Sequence, residues 1–512
     1  MADEQKPKVE KVGVVEYEHV GREYLEERAL RKTAGAWLIW ALGVAYVISG
    51  EYYGWQFGFE QGVGGMLLAT ILIAAMYTFM VYGIAEMAAA MPVTGGPYAF
   101  GRRALGLWGG YINGLGATIE YVLAVSVIGT GIGLYIVGLA ATQEVDLPKI
   151  IGLDPGEWVA LAFFIVFLAI HLLGVRETLV SVFVIAAIAS VVLVVWFLYL
   201  LPDITWSRFT DVAVEEGKLG ASTWFPTGYI GILAAVPYAA WFYLAIEGCP
   251  LAAEETRNPA RDVPRGSIAA MFTLVAFSAL AFLAAGGTQG ASSLSTTGNP
   301  IGDPVNAIHG PNAFYWFVVI IGLTGLVASF HSIIFAYARI VYALSRAGYF
   351  PRFLSLTTRN RKVPASAILF PAVVSFAMIV ILARVLVPEG GTTTDGLIAA
   401  GADLIQISVF SALITYVVMN LSFIVLRAQE PNLERPYRTP GGILMPAISL
   451  AIAVVSLFAG VVYTSVTRWT ILWTVVGFLV GLAYFWLYSR HRLVAEAPEE
   501  EFAVIAKAEA EI

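Results

Sequence analysis

Apolar runs of about 20 residues recur from residue 35 to residue 489. Each is long enough to cross a hydrocarbon core about 30 Å thick. Only helices and closed barrels satisfy their backbone polar groups inside lipid, and a barrel would show alternating segments of about ten residues. The chain is therefore read as an all-α membrane protein. Composition agrees: 58% of the 512 residues are hydrophobic and 13% charged, and mean hydropathy is +0.76. Twelve spans are expected, near 35–60, 64–91, 104–141, 156–175, 177–201, 227–255, 265–287, 313–346, 365–387, 397–427, 443–465 and 468–489. With the N-terminus inside, of the 30 Lys and Arg only Lys149, Arg208, Lys218, Arg384 and Arg468 fall on the outer side. That asymmetry follows the positive-inside rule and puts both termini in the cytoplasm of a multi-pass cell-membrane protein. Residues 1–33 and 491–512 read as cytosolic tails, flanking a transmembrane domain over 34–490.

Several function classes fall away. The only cysteine, Cys249, leaves no internal disulfide, and the five histidines lack metal-ligand spacing. The polar N-terminus is not a cleavable signal. There is no nucleophile–base pair, no phosphate loop and no basic aromatic face for nucleic acid. An enzyme is not expected, nor a cofactor, nor an obligatory protein partner.

Two spans look broken. The first carries "SGEYYG" (49–54) and the sixth "IEGCP" (246–250). Acid, glycine and proline in so short a stretch interrupt a helix. Broken backbone at membrane depth is tolerated only where it lines a cavity or is buried in protein. The breaks stand five spans apart, the spacing of a 5+5 inverted repeat (about 35–201 and about 227–427), followed by two further helices over about 443–489. Interrupted spans at matching positions point to a transporter's binding site. Glu51 and Glu247 lie one in each break, and an ionisable residue inside a span is a functional candidate by default. Tyr53, Trp55 and Trp241 supply aromatic faces that favour ammonium groups. Carboxylates with aromatic walls suit an organic amine. An amino acid would instead hold its carboxylate on free backbone N–H groups. Glu51 could also serve only to cap freed N–H groups.

Three segments then carry a resemblance: "GIAEMAAAMPVTGGPYAF" (83–100), "AIEGCPLAAEETRNPARDVPRG" (245–266) and "HSIIFAYARIVYALSRAGYFPRFL" (331–354). In this order and on one side, they resemble the amino acid–polyamine–organocation (APC) superfamily, with its LeuT-type fold of broken helices 1 and 6. "ISGEYYGW" (48–55) is most similar to the ethanolamine permease branch. Ile48 stands where amino acid permeases carry a first glycine, leaving Ser49-Gly50. The resemblance implies a secondary transporter importing a small amine, most of all ethanolamine, by alternating access across the bilayer. Its ammonium would sit between Glu51, Glu247 and Trp241, with Ser49 or break carbonyls on the hydroxyl. Leu244, Glu120 and Tyr121 are further candidates for the lining. Resemblance also implies a cation site between the eighth span and the first break, where Ser329, His331 and Ser332 lie. A histidine there favours H+ as the coupling ion, through His331 or Glu247, with Na+ coupling and no coupling at all as the alternatives. Glu254, Glu255, Arg257 and Arg261 are expected to form an inner salt-bridge cluster. The alternatives are an amino acid permease of the same superfamily and a transport-inactive sensor or accessory subunit.

Overall fold

A computed structural model describes residues 9–463 and 468–501. Outside the described residues lie parts of both expected tails (1–8 and 502–512) and residues 464–467, which include the end of the expected eleventh span. Among the described residues, ten helices are long and apolar enough to cross a membrane, and two shorter apolar helices accompany them. We number the spanning helices α1 (Ala36–Val47), α2 (Gly62–Ala90), α3 (Pro97–Thr142), α4 (Pro155–Leu173), α5 (Val175–Leu200), α6 (Ile230–Trp241), α7 (Pro259–Thr288), α8 (Ala313–Arg346), α9 (Ala365–Val385), α10 (Thr393–Gln429), α11 (Leu444–Tyr463) and α12 (Arg468–Leu487). Their starts follow local chemistry. Asp154 and Glu157 form a reciprocal cap at α4, with Pro155 in its first turn. Gly96 takes a left-handed φ of 46° just before Pro97 opens α3. The loop after α7 holds a short helix, Gly302–His309.

Burial separates the centre from the lipid face. The most apolar window of the sixth span is 78% buried, and those of α8 and α10 are 67% buried, against 33% for α9 and 17% for α12. The sixth span, α8 and α10 therefore form the core around which α3 packs, and α9 and α12 present apolar side chains outward.

The chain's two ends fold together at one end of the bundle. Strands β1 (Val9–Val12) and β2 (Val15–Glu18) form a hairpin, and β3 (Leu493–Val494) pairs parallel to β2, with Tyr17 opposite Leu493. The amide of Val494 also donates to the carbonyl of Ala347, just beyond α8. Glu500 is buried and accepts from Tyr98 at 2.6 Å, Tyr349 at 3.0 Å and Tyr17 at 3.1 Å, and pairs with Arg102 at 2.8 Å. Glu499 pairs with Arg346, which also binds Glu254, both at 2.6 Å. Arg339 pairs with Glu255 at 2.7 Å. The ion pairs of Glu254 and Glu255 thus run to α8 and not to Arg257 or Arg261, correcting the expected cluster. Among the described residues, Arg257 bonds through its backbone N–H, to the carbonyl of Ala34.

Candidate functional site

The first break falls later than "SGEYYG" suggested. Helix continues through a turn at Ile48 into Ser49–Tyr52, and the chain leaves it at Tyr53 and Gly54, where φ at Gly54 is 104°. Glu51 therefore sits on the last helical turn before the break. A 3₁₀ helix, Trp55–Gln61, then leads into α2. The second break falls earlier than expected. Helix α6 ends at Trp241, Ala245 takes a left-handed φ of 77°, and a 3₁₀ helix, Ile246–Glu255, carries Glu247 in its first turn. Pro250 sits within that 3₁₀ helix.

The two breaks touch. A methyl group on Gly50 would come within 2.4 Å of the Trp241 carbonyl oxygen, so only glycine permits this approach. The Trp241 indole N–H donates to the carbonyl of Tyr53 at 2.9 Å. The Trp55 ring stacks on Phe242 at 5.1 Å, and its N–H donates to the carbonyl of Glu51 at 3.1 Å. The ring of Tyr53 meets Phe57 edge-on and borders Gly131 of α3. Ser329 of α8 clasps the first span: its hydroxyl accepts from the Ser49 N–H at 2.9 Å and donates to the Ala45 carbonyl at 2.6 Å. Ser332 turns its hydroxyl onto the carbonyl of Ser329.

The acids divide into two groups. Glu247 accepts from Tyr121 at 2.7 Å, and Tyr416 of α10 lies 3.0 Å from its other oxygen. The same Tyr416 hydroxyl lies 3.2 Å from Glu120 and 3.2 Å from Tyr77. Glu120 and Glu247 thus share the Tyr416 hydroxyl and form one buried acid pair, with Tyr77 and Tyr121 around it. Glu51 stands apart. Both of its carboxyl oxygens are buried and lack any hydrogen-bond partner among the described residues. Glu51 and Glu247 share no partner. Glu51, Glu120, Glu247, Ser329, His331 and Ser332 are all 0% exposed, so this is a closed conformation.

His331 looks toward α4 and α5. Its Nε2 lies 2.6 Å from the Ser181 hydroxyl, its ring packs on Phe167, and its carbonyl lies 2.9 Å from Nε2 of His171. The amides of Leu244 and Ala245 have no acceptor among the described residues. Sequence reasoning missed Tyr77, Tyr416 and the contacts of His331 with His171 and Ser181. The spacing of Tyr416 and Asn420, one turn apart on an apolar span, was the available signal for Tyr416.

A bundle of spanning helices, two of them broken at mid-depth against each other with buried acids at the breaks, is the architecture of a secondary transporter for small polar solutes. Residues 56–494 match the family "Amino acid permease", and the chain belongs to that family, within the APC superfamily. It is a permease and not a catalyst. The chain is 26% identical to a branched-chain amino acid permease of Bacillus subtilis, covering 91% of this chain and 94% of that one. It is 24% identical to a methylthioribose transporter of B. subtilis, over 91% and 95% of the two chains. It is 24% identical to a D-serine/D-alanine/glycine transporter of Escherichia coli, over 78% and 80%.

Proposed function

We propose that this permease carries a small solute bearing an ammonium group, in the first place an amino acid, with Glu51 as the partner of the ammonium. The observation that carries the reading is the pair of buried, unpartnered oxygens on Glu51. A buried carboxyl without a partner is costly, and a ligand cation removes that cost. Glu51 also lies at the C-terminal end of its helix, where the helix dipole favours positive charge. The free amides of Leu244 and Ala245, beside a left-handed residue, form a small anion-binding concavity suited to an α-carboxylate. The names of the branched-chain and D-serine/D-alanine/glycine relatives point the same way. Transport proceeds by alternating access in a 5+5 repeat with cytoplasmic termini. The Glu120–Glu247 pair, joined through Tyr416, carries the coupling proton, with His331 as a second carrier.

A second reading is a small amine such as ethanolamine. It is favoured by Glu51 following Gly50 directly, where an ionised carboxylate would repel a substrate carboxylate. Uptake into proteoliposomes under an inward proton gradient, sodium-free, separates the two. Uptake of neutral amino acids that ethanolamine does not inhibit supports the first reading. Uptake of ethanolamine alone supports the second. If neither solute is taken up, with or without sodium, the ammonium assignment of Glu51 is wrong.

A further inference from the structure

A second site lies away from the breaks. A cavity of about 300 Å³ opens where the chain entering α1 meets the α4–α5 turn and the α8–α9 loop. Arg31, Arg176 and Arg361 line it from those three segments in turn. The Arg361 guanidinium is fixed by a bond to the Leu172 carbonyl at 3.2 Å. Arg31 and Arg176 have no hydrogen-bond or ion-pair partner among the described residues. The Thr33 hydroxyl, also in the lining, is buried and unpartnered. One acid, Glu177, shares the cavity, so positive charge remains in excess. The first turn of α5, a helix of 26 residues, forms the floor and adds its positive dipole end.

Its surroundings identify the ligand. Leu173, beside the cavity, is 51% exposed, and Val180 and Trp37 are also exposed apolar residues. Helices α4 and α5 present apolar side chains along their length, with 39% of each most apolar window buried. The cavity thus lies at the end of lipid-facing spans, beside the segments that hold most of the Lys and Arg. Free arginines at the membrane edge, arranged around a hollow and next to exposed apolar residues, match a phosphate carried on an acyl-chain anchor. We propose that this cavity binds the phosphate of an anionic phospholipid headgroup, with Arg31, Arg176 and Arg361 as its ligands.

Arginine near an anionic membrane surface is worth about fivefold in binding, so three give about a hundredfold. The purified permease is loaded with phosphatidylglycerol and phosphatidylcholine together, and the retained lipids are read by native mass spectrometry. The wild type is compared with R31Q/R176Q/R361Q, with R176Q alone, and with K218Q as a remote control. The expected result is preferential retention of phosphatidylglycerol in the wild type and K218Q, reduced in R176Q and lost in the triple variant. A second arm adds inorganic phosphate to protein in phosphatidylcholine alone and follows thermal unfolding. Stabilisation by phosphate that the triple variant loses, without lipid preference, assigns the site to free phosphate compounds and overturns the lipid source. Equal retention of both lipids with no phosphate effect overturns the site itself. R176Q alters an exposed side chain without a partner, so it tests the proposal even if the triple variant fails to fold.

Discussion

Replacing Glu51 with methionine should move stability and binding in opposite directions. The side chain is fully buried, and neither carboxyl oxygen has a partner. Burying such a group unpaired costs about 1–3 kcal/mol even when it is neutral. Methionine has similar length, fills irregular space and carries no group that needs a partner. The backbone contact from Trp55 to the Glu51 carbonyl does not depend on the side chain. Glu51→Met should therefore make the ligand-free protein about 1–3 kcal/mol more stable. Binding should suffer, because removing one partner of a buried ion pair costs about 3–5 kcal/mol. That is a loss of affinity of about a hundredfold to several thousandfold. Stability is read by thermal unfolding of ligand-free protein in detergent, and affinity by equilibrium binding of the solute found in the uptake assay. A merely structural carboxyl would lower stability when removed and leave affinity near its original value. Either of those results would refute the reasoning.

Three further perturbations have defined outcomes. Gly50→Ala pushes a methyl group against the Trp241 carbonyl, which is backbone and cannot swing aside; uptake should fall sharply, and unfolding should show a loss of about 1–3 kcal/mol. Arg339→Met strands Glu255 without its cation and should destabilise by about 3–5 kcal/mol, whereas pairing it with Glu255→Met should recover most of the loss in a double-mutant unfolding cycle. Hydrogen bonds to Glu496 and then Glu10 hold the imidazole of His19 above its ordinary range. A raised histidine stabilises the docked tails fully below about pH 6.5, and this contribution fades as pH rises through the raised value. Hydrogen exchange in β2 and β3 should accordingly speed up with rising pH beyond its intrinsic trend, and His19→Gln should remove the extra dependence.

The spanning helices were legible because lipid imposes one rule on every span, and length and hydropathy report it directly. The breaks were legible as regions but not as residues. Gly248 and Pro250 drew attention, yet the chain departs from α-helix at Phe242 and passes through Ala245 in a left-handed conformation. No residue preference marks an alanine for that role, since a left-handed backbone is unfavourable for any residue with a Cβ. Glu51 and Glu247 could be found one by one, as acids inside spans. That Glu247 pairs with Glu120 through Tyr416 depends on how α3, α10 and the sixth span meet, which periodicity does not state. Glu499 and Glu500 were hidden for the opposite reason. Acids in a polar terminal stretch resemble solvated side chains, and only the packed structure shows that they are buried on arginines and tyrosines.

The union of the two chain ends has a consequence for how the protein is made. Tyr17 leaves the ribosome long before its hydroxyl partner Glu500, which lies 483 positions later. Synthesis proceeds at about 5–20 residues per second, so the N-terminal hairpin waits at least tens of seconds for β3 and its acids. By the end of that interval every spanning helix has been made, while Arg346 and Arg102 still lack their C-terminal carboxylates. The nascent permease is thus a bundle fastened late, and quality control would meet it with Arg346 on Glu254 but without Glu499, and Arg102 on Tyr17 but without Glu500.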